Sequence, residues 1–164
     1  MSERLLSELG AMLDAYDVVR RADELRKRRL EAEGLAFLAG FAELRGKLIR
    51  PVFEAVGALL KSRGHDFAIR EEEFVFEGDG KTTEAAISLR ITPAGMESAT
   101  ASDVHLRELR LSTRHYNKTI SITNGAVPQS GSIAGAAGSY ALSQIDAQLV
   151  EQELLKLVAA LVRA

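Results

Sequence analysis

Three histidines, a run of glutamates, a glycine-rich stretch and a cluster of basic residues are the parts of this 164-residue chain whose types could do chemistry. The glycine-rich stretch is "SGSIAGAAGSY", residues 130–140, with Gly131, Gly135 and Gly138 ahead of a helix-like C-terminal segment. Backbone N–H groups at a helix N-terminus bind phosphate. A P-loop also needs Lys and Ser/Thr directly after its last glycine, and here Ser139 and Tyr140 follow Gly138. The spacing G-x-x-x-G-x-x-G misses the dinucleotide fingerprint as well. No Lys or Arg lies between Lys118 and Lys156. The stretch therefore reads as a small-residue connector, mobile or tightly crossing at Gly135, with no anion bound.

His105 and His115 fall on one predicted strand. Ten residues at ~3.3 Å each put them about 33 Å apart, too far to share a metal. His65 follows a predicted helix end and reads as exposed. The carboxylates Glu71, Glu72 and Glu73, with Glu77 and Asp79 beyond, could do acid–base work if their environments drove their pKa values apart. A triple run on a strand reads instead as a solvated edge, where charge discourages strand-to-strand association. No G-x-S-x-G elbow occurs. The chain has no cysteine, which removes disulfides, thiolate ligands and cysteine nucleophiles. No catalytic, metal or cofactor-binding residue is nominated, and no complete catalytic constellation is found. A pocket between sheet and helices would draw its polar groups from Arg90, Arg114, His115 and Tyr116.

Arg20, Arg21, Arg26, Lys27, Arg28 and Arg29 are the densest charge in the chain. They are the candidate anion-binding residues, Arg21, Arg26, Lys27, Arg28 and Arg29 foremost. Asp23, Glu24, Glu31 and Glu33 interleave with them, and no aromatic residue is there to stack a base. A solvated helix face is the plainer reading, and nucleic acid is not the expected partner. Net charge is −2, so no global field attracts a polyanion.

Just upstream, Leu5, Leu9, Met12, Tyr16 and Val19 step by four, three, four and three residues. They form one apolar stripe on a helix. The stripe spans two heptads and fails at Asp23 and Arg26. These five are the candidate interface residues, packing on the same chain, on a second copy or on a partner helix.

Several elements must carry these residues. Ser2 opens a long helix over residues 2 to about 32, stopped or bent at Gly34. A second helix covers about 36–63, with Leu48, Val52, Val56, Leu59 and Leu60 along one face and Ile49 and Phe53 beside it. Pro51 predicts a kink, or an end near Ile49 and a restart. Gly64 supplies the left-handed cap. From Asp66 the period falls to two. Phe67 and Ile69 are out of phase with Phe74 and Phe76, so a bulge or break is expected near residues 71–73. "GDGK" predicts a hairpin turn. Ala85, Ile87, Leu89 and Ile91 share one face of the next strand. A further hairpin turns at Asn117, and "SYALSQI" adds a short strand. Asp146 caps a last helix over 147–163, with Leu149, Leu154, Leu157, Val158 and Leu161 inward.

The expected fold is α+β: two N-terminal helices, a four- to five-stranded antiparallel meander and one C-terminal helix, the helices covering one sheet face. Residues 1–34 read as a projecting association segment and 35–164 as a single domain. With 46% apolar residues and no run of 18, the chain reads as soluble and cytoplasmic, with no signal peptide and no membrane span. The function expected is that of a non-enzymatic interaction or scaffolding protein that self-associates, as a dimer, through its N-terminal helix. A chaperone or adaptor holding a protein segment, or a ligand-binding protein or enzyme with a pocket between sheet and helices, are the alternatives.

Overall fold

Phe37, Phe41, Arg45, Ile49, Phe53 and Gly57 recur at intervals of four, and all six are buried. In an α-helix each four-residue step over-rotates by about 40°, so six such residues would wind off a single face. The backbone answers with a wider turn. In the computed structural model, which describes residues 2–78, 81–95, 107–125 and 136–163, helix α1 runs Glu3–Leu44. A π-helical segment follows over Arg45–Ile49, and α2 continues over Arg50–Ser62. The Arg50 N–H donates to the Arg45 carbonyl, five residues back, and this wide turn takes back part of the accumulated rotation.

The two expected N-terminal helices are thus joined into one helical run, and Gly34 does not interrupt it. Pro51 does leave its mark. The wide turn immediately precedes it, where its ring would otherwise meet the Lys47 carbonyl, and Pro51 sits in the first turn of α2. The same turn resets the helix phase. Ile49, Phe53 and Leu60 are the buried large apolar residues of this region, Leu48, Val52 and Val56 only partly so, and Leu59 is exposed. The run ends as expected. Gly64 has φ +86°, and the His65 and Gly64 N–H groups donate to the carbonyls of Leu60 (3.0 Å) and Lys61 (3.1 Å).

Strands β1 (Asp66–Glu72), β4 (Ala86–Thr92), β5 (Glu108–Arg114), β6 (Thr119–Asn124) and β7 (Ala136–Tyr140) form one antiparallel sheet in that order. A short ribbon of β2 (Val75–Phe76) and β3 (Thr82–Thr83) extends the β1–β4 hairpin. The break between β1 and β2 falls at Glu73 and Phe74; Phe74 packs on the core with Phe67 and Ile69, while Phe76 is exposed. The register aligns Ile69, Leu89, Leu109 and Asn124 across four strands, and Ile87, Leu111 and Ile122 beside them. These side chains meet Phe41, Ile49 and Phe53 from the helical run and Val150, Leu154 and Leu157 from α3 (Ala147–Arg163) in one core. The Asp146 carboxylate caps α3, accepting from the Leu149 N–H at 2.8 Å. A 3₁₀ turn, Leu142–Gln144, precedes it.

By contact density the chain divides into two units, Met1–Ala36 and Phe37–Ala164. Within the second, α2 lies so close to the sheet that a Cβ on Gly57 would stand 2.4 Å from the Phe67 ring. An exposed helical Gly→Ala change gains up to about 1 kcal/mol. Here we expect Gly57→Ala to destabilise by about 1–3 kcal/mol, since the Phe67 ring must shift within a packed layer. Urea unfolding of the two proteins measures the difference.

Candidate functional site

The chemistry-bearing side chains of the second unit gather where the π turn meets the start of the sheet. The π turn aims Arg45, 7% exposed, at the β1–β4 hairpin. Its Nη1 donates to the carbonyls of Glu72 (3.0 Å) and Ala86 (3.4 Å), and its Nη2 to Glu73 Oε1 (2.6 Å). The Phe41 ring lies 5.8 Å beneath the guanidinium. Arg50 reaches Glu71 Oε1 at 3.1 Å. Arg110 holds Glu72 through two parallel bonds, 3.0 and 3.2 Å. The run lies, as expected, at a sheet edge, on and just past β1, with Glu71 and Glu73 exposed, and each of its glutamates is in addition tied to a different arginine. The sequence showed the carboxylates but not their partners, which lie 21 to 38 residues away.

A second cluster joins β4 to β5. The Glu84 carboxylate accepts from the Thr113 hydroxyl at 2.7 Å and from the His115 N–H at 3.2 Å, and it pairs with His115 Nδ1. A carboxylate on Nδ1 fixes the imidazole's orientation. Such a pair can serve as an oriented base. The nearby Thr113 hydroxyl, however, donates its one proton to Glu84 at 2.7 Å, away from the imidazole. The Phe74 ring meets His115 edge-on at 5.0 Å. The cluster pins the first residues of β4 to the end of β5. Glu84 was not singled out in the sequence because its pairing depends on strand register.

The remaining candidates stay apart. His65 Nδ1 accepts from the Ala94 N–H at 2.9 Å, while His105, Asp79, Gly131 and Gly135 lie outside the described residues. Among the described residues no group of three or more His, Asp or Glu side chains is placed to hold a metal ion. Nor is any helix among them long and apolar enough to cross a membrane. Gly138 adopts φ +147° in β7, where a Cβ would stand 3.0 Å from the Tyr140 ring.

Arg90 and Arg114, on the sheet, reach Glu108 (3.8 Å) and the Ser121 hydroxyl (3.3 Å). With His115 and Tyr116 they were the expected lining of a polar pocket. Two clefts of this unit have largely apolar walls, with Glu43, Lys47 and Ser143 also at the first and Glu151 at the second. One, of ≈ 520 Å³, lies among Gly40, Leu44, Leu48 and Leu142. The other, of ≈ 360 Å³, lies between α2 and α3 among Val56, Leu59, Leu154 and Leu155. None of the four polar residues lines either cleft.

The first unit is a single helix, and none of its described residues is buried. Leu5, Leu9, Met12, Tyr16 and Val19 are 42% to 66% exposed, and Leu6 and Leu13 are exposed beside them. At 100° per residue the seven occupy about 140° of arc. Leu6 and Leu13 escaped a reading confined to alternating steps of four and three. Arg21, Arg26, Lys27, Arg28 and Arg29 are all exposed. Neighbouring carboxylates engage part of the cluster, as in Arg20 with Asp17 at 3.4 Å and Arg26 with Asp23.

No family model, curated protein or solved structure matches this chain.

The Glu72–Arg110 bond has a pH signature. The Arg110 hydrogen bonds hold the Glu72 carboxyl below its ordinary value, against the opposing effect of burial. A lowered folded-state pKa means stability that is full above the unfolded value, near 4.3, and lost as pH falls through the folded one. Glu72→Gln should cost about 0.5–1 kcal/mol at pH 7, a partly exposed pair being worth no more. Unfolding across a pH series should show this gap closing below about pH 4.

Proposed function

We propose that this chain is a self-associating interaction protein whose N-terminal helix pairs with the same helix of a second copy. The observation that carries the reading is the exposure of an unbroken apolar face over residues 5–19. Apolar surface in one continuous patch marks an interaction site, whereas scattered single residues need no explanation. Seven large side chains, each about half exposed, offer on the order of 600–700 Å² per copy, close to the ~800 Å² per partner of an ordinary specific interface. A second copy is the occupant argued for, because the stripe repeats at the seam spacing of paired helices and a two-fold pair matches it against itself.

Sedimentation equilibrium tests this directly. The parent chain should have the mass of two copies, and Leu9→Asp with Tyr16→Asp the mass of one. The thermal unfolding of residues 37–164, followed by near-ultraviolet signals, should move little. A single-copy mass for the parent chain at every concentration overturns the reading. Lost stability in the double variant at unchanged mass shows that the stripe packs within its own chain.

A further inference from the structure

The charge along the N-terminal helix is segregated. Residues 3–17 hold Glu3, Glu8, Asp14 and Asp17 against Arg4 alone. Residues 18–29 hold six cations, Arg20, Arg21, Arg26, Lys27, Arg28 and Arg29, against Asp23 and Glu24. The apolar stripe runs through the acidic half and into the start of the basic one. Resting on the pairing proposed above, we infer that the two helices run antiparallel, and that the anion bound by the basic cluster is the carboxylate-rich first half of the second copy.

A parallel, in-register pair sets acidic half against acidic half and basic against basic, repulsive along its whole length. An antiparallel pair crossing near residues 14–17 sets most of each acidic half against a basic one, while Met12, Leu13, Tyr16 and Val19 meet their counterparts across the seam. Charges flanking the seam set orientation in this way in paired helices. The pairs formed within one helix, Arg4 with Glu8, Arg20 with Asp17 and Arg26 with Asp23, compete weakly. All are exposed on both sides, and such pairs are worth a few tenths of a kcal/mol at most. The inference also explains why the basic array carries no aromatic residue: its ligand is a row of carboxylates rather than stacked bases.

The absence of cysteine allows a direct test on the full chain. Arg4→Cys carries one spin label per copy, and dipolar spectroscopy reads the distance between the two labels. An antiparallel pair crossing near residues 14–17 separates them by about 30–40 Å at 1.5 Å rise per residue. A parallel pair holds them within about 20 Å, given helix axes 8–10 Å apart. Charge reversal supplies the second arm. Glu8→Lys and Asp17→Lys should together weaken association at least tenfold at low salt, as should Arg20→Glu, Arg26→Glu and Lys27→Glu. A chain carrying both sets should recover, because the halves have merely exchanged signs. A short label distance, or a combined variant as weak as either set, overturns the antiparallel arrangement and leaves the pairing standing. A single-copy mass for the unmodified chain removes the pairing and this inference with it.

Discussion

A buried guanidinium at the wide turn of the helical run organises the second unit. Arg45 sits midway along a row of inward residues spaced by four, at the one place where the helix departs from α geometry. From there it satisfies two carbonyls at the junction of β1 and β4 and one carboxylate of the connecting segment. Those carbonyls lie where the β1 ladder ends. A buried carbonyl left without a donor costs about 1–3 kcal/mol. The wide turn, the break at Glu73 and Phe74 and the start of β4 are therefore mutually dependent. Move the turn by one residue and the arginine no longer points at the hairpin.

The same logic extends across the sheet. Glu72, next to the junction, is held by Arg110 of β5, and Glu84 ties the start of β4 to Thr113 and His115. Polar side chains at this end fix strand ends against one another, while the middle of the sheet relies on aliphatic packing. At the far side, the buried Asn124 amide donates to the Glu153 carbonyl and carboxylate at 2.9 and 2.8 Å, joining β6 to α3. Buried Arg45, Thr113 and Asn124 are each hydrogen-bonded to a distant part of the chain, which is how a small core keeps such polar groups inside.

The first unit has none of this. It is a helix with no buried residue, an apolar face and two halves of opposite charge. An isolated helix of this length draws little of its stability from propensity, and burying its apolar face against a second copy would supply the rest.

What the sequence determined by itself was whatever depends on near neighbours. The alternation of Ile87, Leu89 and Ile91, the Gly64 cap, the Asp146 cap and the disturbance at Pro51 are all local patterns, and each is found where the residues put it. The helix stripe and the charge cluster were legible for the same reason. Tertiary structure decided whatever depends on long-range register. Gly34 was read as a stop, yet a single helical glycine costs only about 1 kcal/mol, and the helix continues. The inward face of α2 was misplaced because the wide turn rotates it, and the clue, a row spaced by four, appears only once its members are known to be buried. The glutamates at 71–73 read as a solvated edge, and Glu71 and Glu73 are exposed there; the arginines that tie them are far away in the chain and were not legible. Only the fold brings Arg45, Arg50 and Arg110 to them, and charge pairing across such separations leaves no period to read.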